Sequence, residues 1–136
     1  MSASRWLLLL GSTQGSDERI HAALRELRTL GEAKLLAPIQ YGPGSRDARR
    51  NYFNALVELG FDGDVDELVA ALKAIETRLG RNRDSDEVAI DIDLLAREGN
   101  GVWRADAHAI EKRELEQAHA IALLRAVGIE IDSVSH

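Results

Sequence analysis

Two aspartates, Asp91 and Asp93, flank Ile92 in the otherwise apolar run from Ile90 to Leu95. In an extended strand, residues two apart point the same way. Both carboxylates then face one side, while Ile90, Ile92 and Leu94 face the other, toward a core. Neighbouring like charges repel unless a cation or an arginine compensates. Magnesium prefers oxygen ligands, retains several waters and takes further ligands from substrate phosphates. The pair is therefore a candidate metal-binding centre for phosphoryl transfer; the alternative is a solvated sheet face. Arg81 and Arg83 precede the strand. A guanidinium matches phosphate bidentately, so the two could clamp a polyphosphate, or pair on the surface with Asp84, Asp86 or Glu87.

Tyr52 and Asn54 share the more polar face of another candidate strand, the third in chain order, where a ring and an amide can orient a flat heterocycle or serve as ordinary surface residues. The segment Gly11-Ser12-Thr13-Gln14-Gly15 follows a buried strand, but lacks the lysine followed by Ser or Thr that marks a Walker A loop. It reads as a simple turn into a helix. The four histidines, at positions 21, 108, 119 and 136, form no cluster at metal-ligand spacing and no nucleophilic triad.

The elements that must position these residues follow from periodicity and punctuation. Trp6 to Leu10 predicts a strand buried on both faces and stopped by Gly11 and Ser12. Ser16 or Asp17 caps a helix bearing Ile20, Ala23, Leu24, Leu27 and Leu30, which ends at Gly31. Residues 33–41 predict a second strand, and residues 42–50 a basic loop. Tyr52 to Leu59 predicts a third strand, with Phe53, Ala55, Val57 and Leu59 facing the core. Asp64 and Glu67 have capping-box spacing before a helix whose stripe is Leu68, Leu72, Ile75 and Leu79, with Gly80 beyond its end. Residues 81–88 predict a loop and Ala89 to Leu95 a fourth strand. Glu98-Gly99-Asn100-Gly101 signals a turn into a short strand near Val102-Trp103, and residues 111–127 predict a last helix. The order β-α-β-β-α-β with an added hairpin-like strand and helix is an α+β, ferredoxin-like arrangement. Helices on one face of the sheet leave the other to loops and the C-terminal segment.

The chain has 136 residues, which suits a single domain over 1–136. With 45% hydrophobic residues it can build a core, which excludes a disordered chain. A formal charge of −6 argues against broad nucleic-acid or membrane-surface binding. Cysteine is absent, which excludes disulfides, thiol nucleophiles and Cys-ligated zinc. The apolar run at Trp6 to Leu10 is too short to span a membrane, so a cytoplasmic location is expected. Nothing marks an oligomer interface.

Taken together, these motifs resemble the 6-hydroxymethyl-7,8-dihydropterin pyrophosphokinase family of folate biosynthesis. The resemblance covers roughly residues 5–95: Leu10-Gly11-Ser12, Tyr52-Phe53-Asn54-Ala55, Ile75-Glu76, Gly80-Arg81-Asn82-Arg83 and Ile90-Asp91-Ile92-Asp93-Leu94-Leu95. It implies a ferredoxin-like fold and transfer of pyrophosphate from ATP to the pterin hydroxymethyl group, with two magnesium ions. By the same resemblance, Asp91 and Asp93 are the metal ligands, and Arg81 and Arg83 lie at the catalytic loop beside the nucleotide. Glu76 lies near the nucleotide, and Lys112 supplies positive charge. Tyr52 and Asn54 line the pterin pocket, with Gly42, Pro43 and Gly44 bordering it. The chain departs from the family pattern in a shorter loop before Asp91, in Val88 at an arginine position, and in having no tryptophan in residues 84–90. The family's Pro-His and Arg-x-Phe segment is also replaced, by Ile110-Glu111-Lys112-Arg113 and Ala118-His119-Ala120. Two other readings follow from these departures: a pyrophosphotransferase for another heteroaromatic alcohol, and a non-catalytic binding module on the same fold.

Overall fold

The computed structural model describes residues 4–13, 16–43, 51–80, 89–107, 109 and 118–132. In chain order the elements are β1 (Ser4–Ser12), α1 (Glu18–Leu27), β2 (Ala33–Leu35), β3 (Gln40–Pro43), β4 (Asn51–Phe61), α2 (Val65–Arg78), β5 (Asp91–Gly99), β6 (Val102–Ala105), α3 (Ala118–Val127) and β7 (Ile131–Asp132). The strands form one sheet in the order β2-β4-β1-β5-β6-β7, with β3 also paired to β4. Its central part, β2/β3-β4-β1-β5, is antiparallel throughout. This is the ferredoxin-like order that the sequence pattern implies.

β1 lies in the middle because it is apolar on both sides. Trp6, Leu8 and Leu10 enter one core with α1 and α2, while Leu7 and Leu9 enter a second with Leu56, Leu95, Ala96, Ala120, Leu123 and Leu124. The C-terminal helix α3 thus covers part of the face that α1 and α2 leave open. The predicted stripe of α2 is buried at Leu68, Leu72 and Ile75. The Asp64 side chain accepts from the Glu67 N–H at 2.8 Å, and the Glu67 carboxylate accepts from the Asp64 N–H at 3.3 Å, completing the capping box. Gly80 follows α2 with φ 98°, a conformation that glycine adopts without a Cβ penalty.

Several boundaries differ from the sequence reading, among them the ends of α1 at Leu27 and of β4 at Phe61 and the start of β5 at Asp91. Residues 33–41 form two short strands, β2 and β3, rather than one. Pro38 lies between them, and without an N–H it cannot continue a ladder. Gly42 and Pro43, expected in a loop, belong to β3 and pair with Tyr52 and Asn51. β1 does not stop at Gly11 but continues through Ser12; of the two expected caps of α1, Asp17 makes no side-chain cap bond, while the Ser16 hydroxyl accepts from the Glu18 N–H at 3.4 Å. β5 runs on to Gly99 through a bulge: Leu8 pairs with Leu94 and Leu7 with Ala96, leaving Leu95 as the extra residue. Asn100 and Gly101, with φ 52° and 78°, then turn the chain into β6, a two-residue hairpin loop with positive φ at both positions. The predicted last helix is described over Ala118–Val127, and residues 111–117 lie outside the described residues, as do 81–88.

Candidate functional site

Strand alternation puts Ile92 and Leu94 in the core against α1 and α2, with Ile90 just before them. Asp91 and Asp93 therefore point to the other face, each partly exposed. The antiparallel register sets Asp91 opposite Gly11 and Asp93 opposite Leu9.

Gly11 gives the site its shape. On its other side it pairs with Asn54, which in turn pairs with Gln40. Directly opposed residues share a sheet face, so Gln40, Asn54, Gly11 and Asp91 form one row across β3, β4, β1 and β5. A Cβ on Gly11 would stand 3.3 Å from Asn54 Oδ1. Glycine here leaves a notch between an amide and a carboxylate. In sequence, Gly11 reads as a turn residue and as part of the Leu10-Gly11-Ser12 motif; a glycine ending a run of leucines is also the signal for a close approach within a strand. Tyr52, two residues before Asn54, lies on the same face opposite Gly42, and a Cβ on Gly42 would meet nothing within 4 Å. Asn54 is 5% exposed, more buried than a residue on a solvent-facing sheet surface. Phe53 and Tyr41, with ring centroids 4.4 Å apart, belong to the opposite face.

Glu76 reaches the same strand from α2. β6 pairs only with residues 96–99 of β5, and at Ile92 the Glu76 carboxylate takes the place of a neighbouring strand: its Oε2 accepts from the Ile92 N–H at 3.0 Å. The side chain is 6% exposed. Its observed contact is thus with the backbone between the two aspartates. Burying an unpaired N–H costs roughly 1–3 kcal/mol, so this carboxylate fixes the stretch of β5 that presents Asp91 and Asp93.

The donor set fits magnesium. Two same-face carboxylates offer hard oxygen ligands and leave room for water and phosphate oxygens. Among the described residues no group of three or more His, Cys, Asp or Glu side chains gathers to form a closed cage. Asp91, Asp93, Asn54, Tyr52 and Gly42 are brought to one face. Arg81, Arg83, Lys112 and Gly44, expected beside them, lie outside the described residues. Among the described residues no helix is long and apolar enough to cross a membrane.

Residues 7–127 match the sequence model of a family described as 7,8-dihydro-6-hydroxymethylpterin-pyrophosphokinase. No curated protein matches the chain.

Proposed function

Because the chain belongs to the 7,8-dihydro-6-hydroxymethylpterin-pyrophosphokinase family, we propose that it transfers pyrophosphate from ATP to the hydroxymethyl group of 6-hydroxymethyl-7,8-dihydropterin. The observation that supports this reading is the row joining Asn54, Gly11 and Asp91, which sets an amide and a carboxylate on one face.

In this reading Asp91 and Asp93 hold magnesium, Arg81 and Arg83 clamp the polyphosphate, and Lys112 adds positive charge. Bound magnesium, one ion or two, neutralises phosphate charge and orients the ATP. Tyr52, Asn54 and the 42–44 segment hold the pterin. Glu76 acts on the site through the backbone of Ile92. The pterin hydroxyl oxygen bonds to the β-phosphorus as the bond from that phosphorus to the α,β-bridging oxygen breaks. AMP leaves and the hydroxyl proton passes to water. The protein's contribution is placement and charge stabilisation.

Purified chain with ATP, magnesium and the reduced hydroxymethylpterin is expected to release AMP in step with pterin consumption. No AMP would defeat the assignment. Val88 and the tryptophan-free segment 84–90 favour one other reading, a heteroaromatic alcohol of different shape as acceptor. AMP release with such an alcohol but not with the pterin would select it.

A further inference from the structure

One residue on the site's face, Gln40, is unused by the reading above. Gln40 lies on β3 directly opposite Asn54, and Gly42 directly opposite Tyr52. These four positions form a square on the face that carries Asp91. One pair of corners is a ring beside an open glycine position, with nothing within 4 Å of a Cβ on Gly42. The other pair is two carboxamides, and opposed side chains in an antiparallel ladder lie within contact distance of one another. Asn54 is only 5% exposed, so little of its amide meets bulk water. An amide held at the site face beside the Gly11 position, where a Cβ would stand 3.3 Å from its Oδ1, offers a donor and an acceptor to a ligand. Gln40 is exposed, and its amide is hydrated until something covers it.

We propose that Gln40 is a specificity-determining residue that reads the hydrogen-bonding edge of the acceptor heterocycle together with Asn54; the proposal rests on the pterin reading given above. A flat ring laid against Tyr52 over Gly42 turns an edge toward the two amides. Each carboxamide offers a donor and an acceptor, and together they match an amino-oxo pyrimidine edge, on which donors and acceptors alternate. Distance separates this role from catalysis. Gln40 stands three strand spacings from Asp91 along the row, about 14 Å, at the far end of the acceptor from the phosphates. It recognises the heterocycle and leaves the reacting centre alone.

The test is steady-state AMP formation by the wild-type chain, Gln40→Ala and Gln40→Glu, with 6-hydroxymethyl-7,8-dihydropterin and ATP varied separately. Loss of a hydrogen bond at the heterocycle edge is expected to raise KM for the pterin about tenfold in both variants. KM for ATP and kcat are expected to stay within about twofold of wild type. Q40E keeps the length and an acceptor but loses the donor, so a rise in both variants identifies the N–H as the reading group. Unfolding midpoints measured alongside are expected to be unchanged, because Gln40 is exposed on an edge strand. AMP from the wild type with an unchanged pterin KM in Q40A would overturn the Gln40 assignment alone. An equal rise in KM for ATP would also overturn it. No AMP from the wild type would overturn the pterin reading, and the Gln40 assignment with it.

Discussion

At the scale of single residues, the chemistry depends on Asp91 and Asp93 being distinct from Ile92 in what they face. Replacing either aspartate with asparagine keeps its volume and removes its charge. Each variant is expected to lose on the order of 10²–10³ in kcat for AMP formation while unfolding at a wild-type denaturant concentration. Glu76 should behave differently, because it holds the strand rather than the substrate. Glu76→Ala leaves the Ile92 N–H without its acceptor and should cost about 1–3 kcal/mol in urea unfolding. Glu76→Gln retains an acceptor oxygen and should recover much of that loss. The aspartate pair was legible in the sequence because strand alternation is a strict geometric rule. Gly11, Gln40 and the Glu76 contact were not, because each depends on which residue of another strand or helix lies opposite, and register between distant segments is not written in local pattern.

At the scale of elements, caps and close approaches decide the outcome. The Asp64–Glu67 box was readable four residues at a time, and Asp64→Ala should lower stability by about 1 kcal/mol in denaturant titrations. In sequence, Gly31 marks the end of a helix. Its tighter constraint comes from β4: a Cβ there would fall 1.8 Å from the Gly60 carbonyl oxygen, where the Gly60 N–H also bonds the Glu32 carbonyl at 2.8 Å. Gly31→Ala should therefore destabilise by at least about 2 kcal/mol, measured the same way, because backbone rather than a pliant side chain must move. The division of residues 33–41 into β2 and β3 was only half legible. Pro38 is a visible interruption, but the resumption of pairing at Gln40 is set by β4. The β5 bulge left no signal at all. It allows the consecutive residues Leu95 and Ala96 to enter the same core, which strict alternation forbids.

At the scale of the whole molecule, the sheet faces have different occupants. One is covered by α1 and α2. The other is shared: Leu7, Leu9, Leu56, Leu95 and Ala96 lie under α3, while Asp91, Gly11, Asn54, Tyr52 and Gly42 form the candidate site. The order of strands was legible because apolar runs and turn residues alternate cleanly along the chain. Leu123→Ala removes a fully buried side chain from the second core and should cost about 2–5 kcal/mol in chemical unfolding. The two-sided burial of β1 also bears on how the protein is made. Leu7 and Leu9 are synthesised well before α3, which covers them. A nascent chain that has already assembled β1, β4 and β5 presents a bare leucine surface until residue 127 clears the ribosome. Transiently exposed apolar surface of this kind is what chaperones bind and what drives aggregation. The hazard of this fold is therefore greatest between the emergence of β5 and that of α3, and a stall in that interval would leave an adhesive chain rather than a merely inactive one.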